Sequence, residues 1–406
     1  NHKILFISNG HGEDLIAMRV LDELHALYPN DIYEVLPLVG EGKIFDPAVS
    51  ENWLEKVGFF KSLPSGGFSN QSLRGLLADL QSGLLANTWK QFQYIYGASK
   101  QGRLIIAVGD LFPLFLAWSS GARYGFIGTP KSDYTWMSGP GYAVMDFYHK
   151  LKGTEWDPWE YALMKSSRCN FIAVRDKISA RGLIRNGVRA FALGNPMMDG
   201  LSKKVCPESL KIFDRLILLI GSRMPEALMN FQRLLNALDC LKSKNPLVIF
   251  VATGAEPSLG ELESYLLIIG YEQDLSSRID VGQSSVWKRG NFTLLIGPSC
   301  FSNWASWAHI GVANAGTATE QLVGLGIPCV SLPGKGPQFK YGFAKRQSRL
   351  LGGSVLPCKN SKILAQSVEL LLRDKDLRTR LVTCGQKRMG SAGGSYELAK
   401  LISKSF

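Results

Sequence analysis

Short apolar runs alternate with helical patterns along almost the whole chain, and this alternation constrains the fold more than any other feature. The first half opens with Lys3-ILFIS, the loop Asn9-GHGED and the helical pattern Leu15-IAMRVLDELHAL. Further strands are expected at Arg103-LIIAVG, Ala122-RYGFIG and Asn170-FIAV. The second half repeats the plan with Arg215-LILLIG, a turn at Ser222-Arg223 and a helix that begins at Pro225. Strands follow at Leu247-VIFVA, Phe292-TLLI, Gly311-VAN and Pro328-CVSL. Strands separated by helices pair in parallel and bury both sheet faces, so the expected class is α/β with doubly wound sheets. A chain of 406 residues is long for one core, and two domains are expected. Their junction is placed at Gly194-NPMMDGL, with Asn195 and Pro196 as the hinge.

Composition narrows the class of partner. Hydrophobic residues make up 46% and charged residues 20%, which describes a globular protein rather than a disordered one. A net charge of +12 points to an anionic partner: nucleic acid, a phosphorylated ligand or an acidic membrane surface. No RNA-recognition signature, zinc-finger spacing or basic zipper is present, so nucleic acid is not expected. The 7 cysteines lack close pairs and histidine partners, as for reduced thiols in a cytoplasmic protein. No signal-peptide pattern and no membrane-spanning apolar run is read, so any membrane contact is expected to be peripheral.

Between Val281 and Val368 the only carboxylate is Glu320, within Gly311-VANAGTATEQLVGLGIPCVSLP-Gly334. The run reads as strand, small-residue loop, helix from about Thr317, and strand. Such a turn offers N–H groups at Asn314, Gly316 and Thr317 to a phosphate, and Glu320 to a ribose diol. The same residues could instead form a Thr317–Glu320 capping box. Arg223, beside Ser222 at a strand's carboxyl end, suits a diphosphate, or is a surface residue after a turn. The basic segment Gly334-KGPQFKYGFAKRQ brings Gln338, Phe339 and Lys340 as candidate donor contacts, or is a solvated face. In the first half, Asp110 at a strand end is the first candidate for a general base, and a helix N-cap is its alternative. His11, Glu13 and Asp14 in the first loop, with Gly12 among them, form the other candidate set, and His11 has the intrinsic pKa suited to acid–base work. The only Asp-x-Asp, Asp374-Lys-Asp376, is wrapped in arginines, so no metal site is expected. Two stretches break the strand–helix rhythm. Trp53 to Tyr96 carries a leucine ladder and reads best as core-facing helices; Tyr134 to Tyr161 crowds aromatics among glycines and suits an apolar ligand or interface.

Taken together and in order, these motifs resemble the lipid-A-disaccharide synthase group of glycosyltransferases. Leu219-Ile-Gly-Ser-Arg223 resembles its Gly-Ser-Arg turn, Gly194-NPMMDGL its interdomain turn, and Ala313-NAGTATE its small-residue loop. Gly109-Asp110 resembles its Gly-x-Asp element, and Gly128-TPKSDYTW the segment ending in its Trp, here Trp136. Ser8-NGHGED departs from the family's first loop and leans toward the Gly-Gly-His loops of related lipid-directed transferases. The resemblance implies two facing Rossmann-like domains of the GT-B type with the active cleft between them. It implies an acceptor domain over 1–194, a nucleotide-sugar domain over 195–385, and a C-terminal helix over 386–406 returning to the first domain. It also implies an inverting, metal-independent transfer from a UDP-sugar to a lipid or lipid-linked acceptor, with no cofactor beyond that co-substrate. Glu13, Asp14, Gly12 and Trp136 fall on the acceptor side. The expected location is the cytoplasmic face of a membrane, with an anionic surface as partner and a homodimer as a possibility. A UDP-sugar 2-epimerase-like isomerase and a non-catalytic nucleotide- or lipid-binding protein are the alternatives.

Overall fold

A computed structural model of the chain describes residues 2–58, 84–243, 245–334 and 339–405. It divides into two compact units, Asn1–Asp199 with Ser391–Phe406, and Gly200–Gly390. Each is an α/β domain built on a mostly parallel sheet. The division falls at Asp199, so Asn195 and Pro196 belong to the first unit.

The first unit holds β1 (Lys3–Ser8), β2 (Ile32–Pro37), β3 (Leu54–Lys56), β4 (Leu104–Gly109), β5 (Tyr124–Gly128), β6 (Cys169–Val174) and β7 (Ala190–Phe191). The sheet order is β3-β2-β1-β4-β5-β6-β7, and every pairing is parallel. Every residue of β4 is buried, as a central strand covered on both faces requires. From β1 the chain winds outward through β2 and β3, then crosses to β4 on the other side. The carboxyl ends of β1 and β4 therefore form a topological switch point, where open α/β sheets bind ligands. The helix Gly394–Ser403 packs on the helix His11–Leu27 of this unit, burying Leu398, Ala399 and Ile402. Gly194 makes the approach possible: φ is +119°, and a Cβ there would lie 3.0 Å from the Cα of Gly394. The Asp199 carboxylate accepts from the N–H groups of Gly393 and Ser395.

The second unit holds β8 (Asp214–Leu219), β9 (Leu247–Thr253), β10 (Glu272–Gln273), β11 (Ser285–Arg289), β12 (Phe292–Pro298), β13 (Ile310–Ala313), β14 (Cys329–Ser331) and β15 (Val355–Pro357). Their order is β10-β11-β12-β9-β8-β13-β14-β15, parallel from β12 to β15 and antiparallel at the β10-β11-β12 edge. The β11–β12 hairpin turns at Gly290-Asn291, with Gly290 at φ +57°. Here the switch point lies between β8 and β13. A core of Leu216, Leu218, Phe231, Leu234, Ile249 and Val312 fills one face of this sheet.

Much of the irregular stretch from Trp53 to Tyr96, including Phe59, Phe60 and the ladder from Leu73 to Leu80, lies outside the described residues. The second irregular stretch forms three short helices, Tyr134–Met137, Met145–Lys152 and Pro158–Met164. No helix among the described residues is long and apolar enough to cross a membrane.

Candidate functional site

Ser222, Arg223, Asn314, Gly316, Thr317 and Glu320 follow the strands of one switch point, and His11 to Asp14 and Asp110 those of the other. In the second unit, the turn after β8 carries Gly221, Ser222 and Arg223, and the turn after β13 carries Asn314 to Thr317. At Gly221, φ is +87°, and a Cβ there would lie 3.6 Å from the Asn314 carbonyl oxygen. Asn314 is buried and acts on the backbone. Its Nδ2 donates to the Leu332 carbonyl (2.8 Å) and to Asn230 Oδ1 (3.1 Å), and its Oδ1 accepts from the Leu332 N–H (2.9 Å). Asn230 Nδ2 in turn holds the Ile220 carbonyl at 3.0 Å. This network ties the ends of β8, β13 and β14 together, which makes Asn314 a positioning residue.

The helix Thr317–Gly324 is capped by Gly316, with no side-chain cap, so the Thr317–Glu320 capping box does not form. The Ala315 carbonyl accepts from Thr319 Oγ1 (2.7 Å) and Gln347 Nε2 (3.0 Å). The same Nε2 reaches the Gly316 carbonyl at 3.2 Å. In a trans peptide the N–H points opposite to the C=O. With these two carbonyls drawn onto Gln347, Thr319 and the helix, the N–H groups of Gly316 and Thr317 are directed away from them, out of the helix N-terminus. That is an anion-ready arrangement. Glu320, half-buried, follows on the first turn. Arg223 and Lys340 are also half-buried, and Ser222 is exposed. Phe339 is buried and stacks edge-on against Phe343 at 5.4 Å. Gln338 lies outside the described residues.

In the first unit, Gly10 caps the helix His11–Leu27. His11 is exposed at its first position, with Gly12 and Glu13 next and half-buried. Asp14 is buried, and its carboxylate accepts the Ser8 hydroxyl at the end of β1. That bond gives Asp14 a role in the fold. Asp110 is the N-cap of the helix Leu111–Ser119. Its Oδ1 accepts from the Phe112 N–H (3.1 Å) and from Asn9 Nδ2 (2.9 Å). The Glu13 side chain crosses the switch point. A Cβ on Gly10 would lie 3.4 Å from Glu13 Oε2, and one on Gly109 would lie 3.3 Å from Glu13 Cγ. Thr129 Oγ1, beyond the end of β5, donates to Glu13 Oε1 at 3.3 Å. Burial, with the Asp110 and Asp14 charges adding to it, pushes the Glu13 carboxyl from 4.5 to about 7 against the pull of its own backbone N–H and Thr129.

The segment after β5 is held from below. Asp133 Oδ1 accepts from the Glu155 N–H (2.6 Å), Trp136 Nε1 (3.1 Å) and Thr154 Oγ1 (3.2 Å). Burial raises the Asp133 carboxyl to about 6. Ser132 Oγ donates to Asp176 Oδ2 at 2.6 Å. Trp136 is thereby fixed half-buried at the edge of this network. Past it, the stretch through the helices Met145–Lys152 and Pro158–Met164 exposes Tyr142, Val144, Phe147, Leu151 and Trp159, and the helix Met145–Lys152 buries none of its residues. Trp156 differs: it is fully buried, with its ring edge-on to Phe126 at 5.8 Å. Among the described residues no group of three or more His, Cys, Asp or Glu is placed to hold a metal ion.

Sequence reading missed Gln347, Asn230, Thr129 and Asp133. Three of them act on backbone or side chains far away in the chain, which leaves no periodic signal. Thr129 and Asp133 sat inside the Gly128-TPKSDYTW motif and Gln347 at the end of the basic segment from Gly334, yet their roles did not show.

The chain matches no protein-family model and no curated protein sequence. It is similar in fold to several solved structures. CalG4, the calicheamicin glycosyltransferase, matches with a TM-score of 0.58 at 15% identity, over 100% of this chain and 98% of that one. A UDP-GlcNAc 2-epimerase from Neisseria meningitidis, solved with UDP-GlcNAc, matches at 0.55 and 15%, over 99% and 100%. S. aureus MnaA, solved with UDP, matches at 0.58 and 12%, over 100% and 96%. At these identities the likeness establishes the architecture, the two-domain GT-B fold that glycosyltransferases and epimerases share.

Proposed function

We propose that this protein is a UDP-sugar enzyme that transfers the sugar to a lipid-linked acceptor at a membrane surface. The observation that carries the reading is the turn at the β8–β13 switch point: outward N–H groups at Gly316 and Thr317, followed one turn later by the only acid of the region, Glu320. A nucleoside diphosphate needs both, anion donors for the diphosphate and a carboxylate for the ribose diol. Arg223 and Lys340 supply the counter-charge as the diphosphate leaves, so the reaction is read as metal-independent.

Transfer is favoured by the apolar face of the first unit. A soluble nucleotide sugar gives no use to exposed Tyr142, Phe147, Leu151 and Trp159, whereas an acceptor drawn from a bilayer does. Asp146, Asp157 and Glu160 offset the lysines of the same stretch, so the apolar side chains, more than lipid charge, supply the adhesion. Location on the cytoplasmic face of the membrane belongs to the same proposal.

A second reading, UDP-sugar 2-epimerisation, is favoured by the neighbours, among which UDP-GlcNAc 2-epimerases recur. A carboxyl that titrates near neutrality serves to remove a sugar C–H proton as well as a hydroxyl proton. One experiment separates the two. The protein is incubated with a panel of UDP-sugars in deuterated water, with and without bacterial lipid extract. UDP release that depends on lipid supports transfer; deuterium entering C2 of the sugar without lipid supports epimerisation. Neither product, with intact UDP binding, would leave only a nucleotide-binding protein.

A further inference from the structure

We propose that Glu13, rather than Asp110 or His11, takes the proton from the reacting group of the substrate, an assignment that rests on the UDP-sugar reading above. Four observations lead there. Glu13 is the side chain that spans the β1–β4 switch point, lying over Gly10 and Gly109, both of which have positive φ and no Cβ to block it. Thr129 fixes one carboxylate oxygen from the end of the neighbouring β5. Asp110, by contrast, has Oδ1 committed to the Phe112 N–H and Asn9, as an N-cap requires. His11 is exposed on the first turn of its helix.

In transfer, the acceptor oxygen forms a bond to C1 of the sugar while the bond from C1 to the diphosphate oxygen breaks. The electron pair leaves with UDP, and the hydroxyl proton passes to the Glu13 carboxylate and then to water. Charges balance without a further reactant. A base must be ionised at working pH yet basic enough to accept, and a value near 7 meets both conditions. The charges that act on Glu13 are Asp110 after β4 and Asp14 on its own helix; His11 begins that helix, and Arg175 after β6 donates from Nη1 to the Thr129 carbonyl at 3.3 Å. Turnover should therefore rise with pH through about 7.

The test is a pH–rate profile of the full chain and of Glu13→Gln, Asp110→Asn and Thr129→Val, with UDP release or C2 exchange as the readout and UDP affinity measured beside it. Glu13→Gln should lose roughly 100-fold or more in turnover and the limb near neutrality, with UDP affinity unchanged. Thr129→Val should move the limb to higher pH, because the bond it loses favours the ionised form. An active wild type whose Glu13→Gln variant keeps the rate and the limb would overturn the assignment and leave the UDP-sugar reading standing. A wild type that neither transfers nor exchanges overturns both. Because Glu13→Gln could alter folding, NMR of the ¹³Cδ-glutamate-labelled wild type gives a separate check. A resonance that titrates near 7 and vanishes in Glu13→Gln supports the assignment, and titration near 4.5 overturns it.

Discussion

The same carboxyl that suits catalysis should weaken the fold, and Glu13→Gln measures by how much. The unfolded chain ionises Glu13 at about 4.5, the folded chain at about 7. Below 4.5 both states are protonated and nothing is lost. As pH rises from 4.5 to 7 the unfolded state ionises first, so stability falls, and above 7 the deficit is complete. The full linkage is on the order of 3 kcal/mol. Part of the side chain stays in contact with water, which screens the charge, so about 1–2 kcal/mol is the expected share. Glutamine carries no charge at any pH and avoids the cost. Urea unfolding of the two proteins should therefore give curves that nearly coincide at pH 4.5, with Glu13→Gln more stable by about 1–2 kcal/mol at pH 8. A gap that is equal at both pH values, or a wild type that is the more stable at pH 8, would refute the reasoning.

Other outcomes follow from the same structure. Glu320→Ala should weaken UDP binding by about 2–4 kcal/mol, from the loss of two charge-assisted hydrogen bonds, while thermal unfolding stays near wild type; calorimetric titration reads both the loss and its absence. Gln347→Leu strips the amide donor from the Ala315 and Gly316 carbonyls and should cost about 1–3 kcal/mol of stability along with UDP affinity, read by urea unfolding and the same titration. Trp156→Ala should destabilise by about 3–5 kcal/mol, whereas Trp159→Ala, only three residues on, should fall within about 0.5 kcal/mol of wild type. Replacing Phe147, Leu151 and Trp159 together with Ser should abolish co-sedimentation with lipid vesicles and leave UDP binding intact; vesicle binding that survives would remove the apolar face from the account.

The strands that run unbroken in apolar residues, such as β1, β4, β8 and β9, were legible because central parallel strands are buried on both faces. β2 was not read: it carries Glu34 in mid-strand, which is buried only because Arg103 Nη2 meets it at 2.8 Å. β11 escaped for another reason: Ser285-VWKR, one strand in from the β10 edge, ends in Lys288 and Arg289. The placement of Ser222, Arg223, Gly316, Thr317 and Glu320 at one switch point follows from motifs at strand ends, and strand ends can be read from sequence. What each side chain does there depends on partners distant in the chain. Asn314 is spent on Asn230 and Leu332, and Asp110 on Asn9, neither of which spacing reveals. Aromatics mislead most. Trp156 and Trp159 share one stretch, yet one fills the core and the other is exposed, because Trp156 precedes the Asp157 N-cap and reaches Phe126 while Trp159 lies on the first turn of the helix Pro158–Met164. Phe339 sits in a basic loop segment but packs inward on Phe343.

The central claim is that the β8–β13 switch point holds the nucleotide of a UDP-sugar, and a crystal structure of the protein grown with UDP tests it most directly. The account predicts diphosphate oxygens within hydrogen-bond reach of the Gly316 and Thr317 N–H groups and the ribose diol on the Glu320 carboxylate. UDP bound elsewhere, or a saturating soak that leaves this turn without nucleotide, would contradict it.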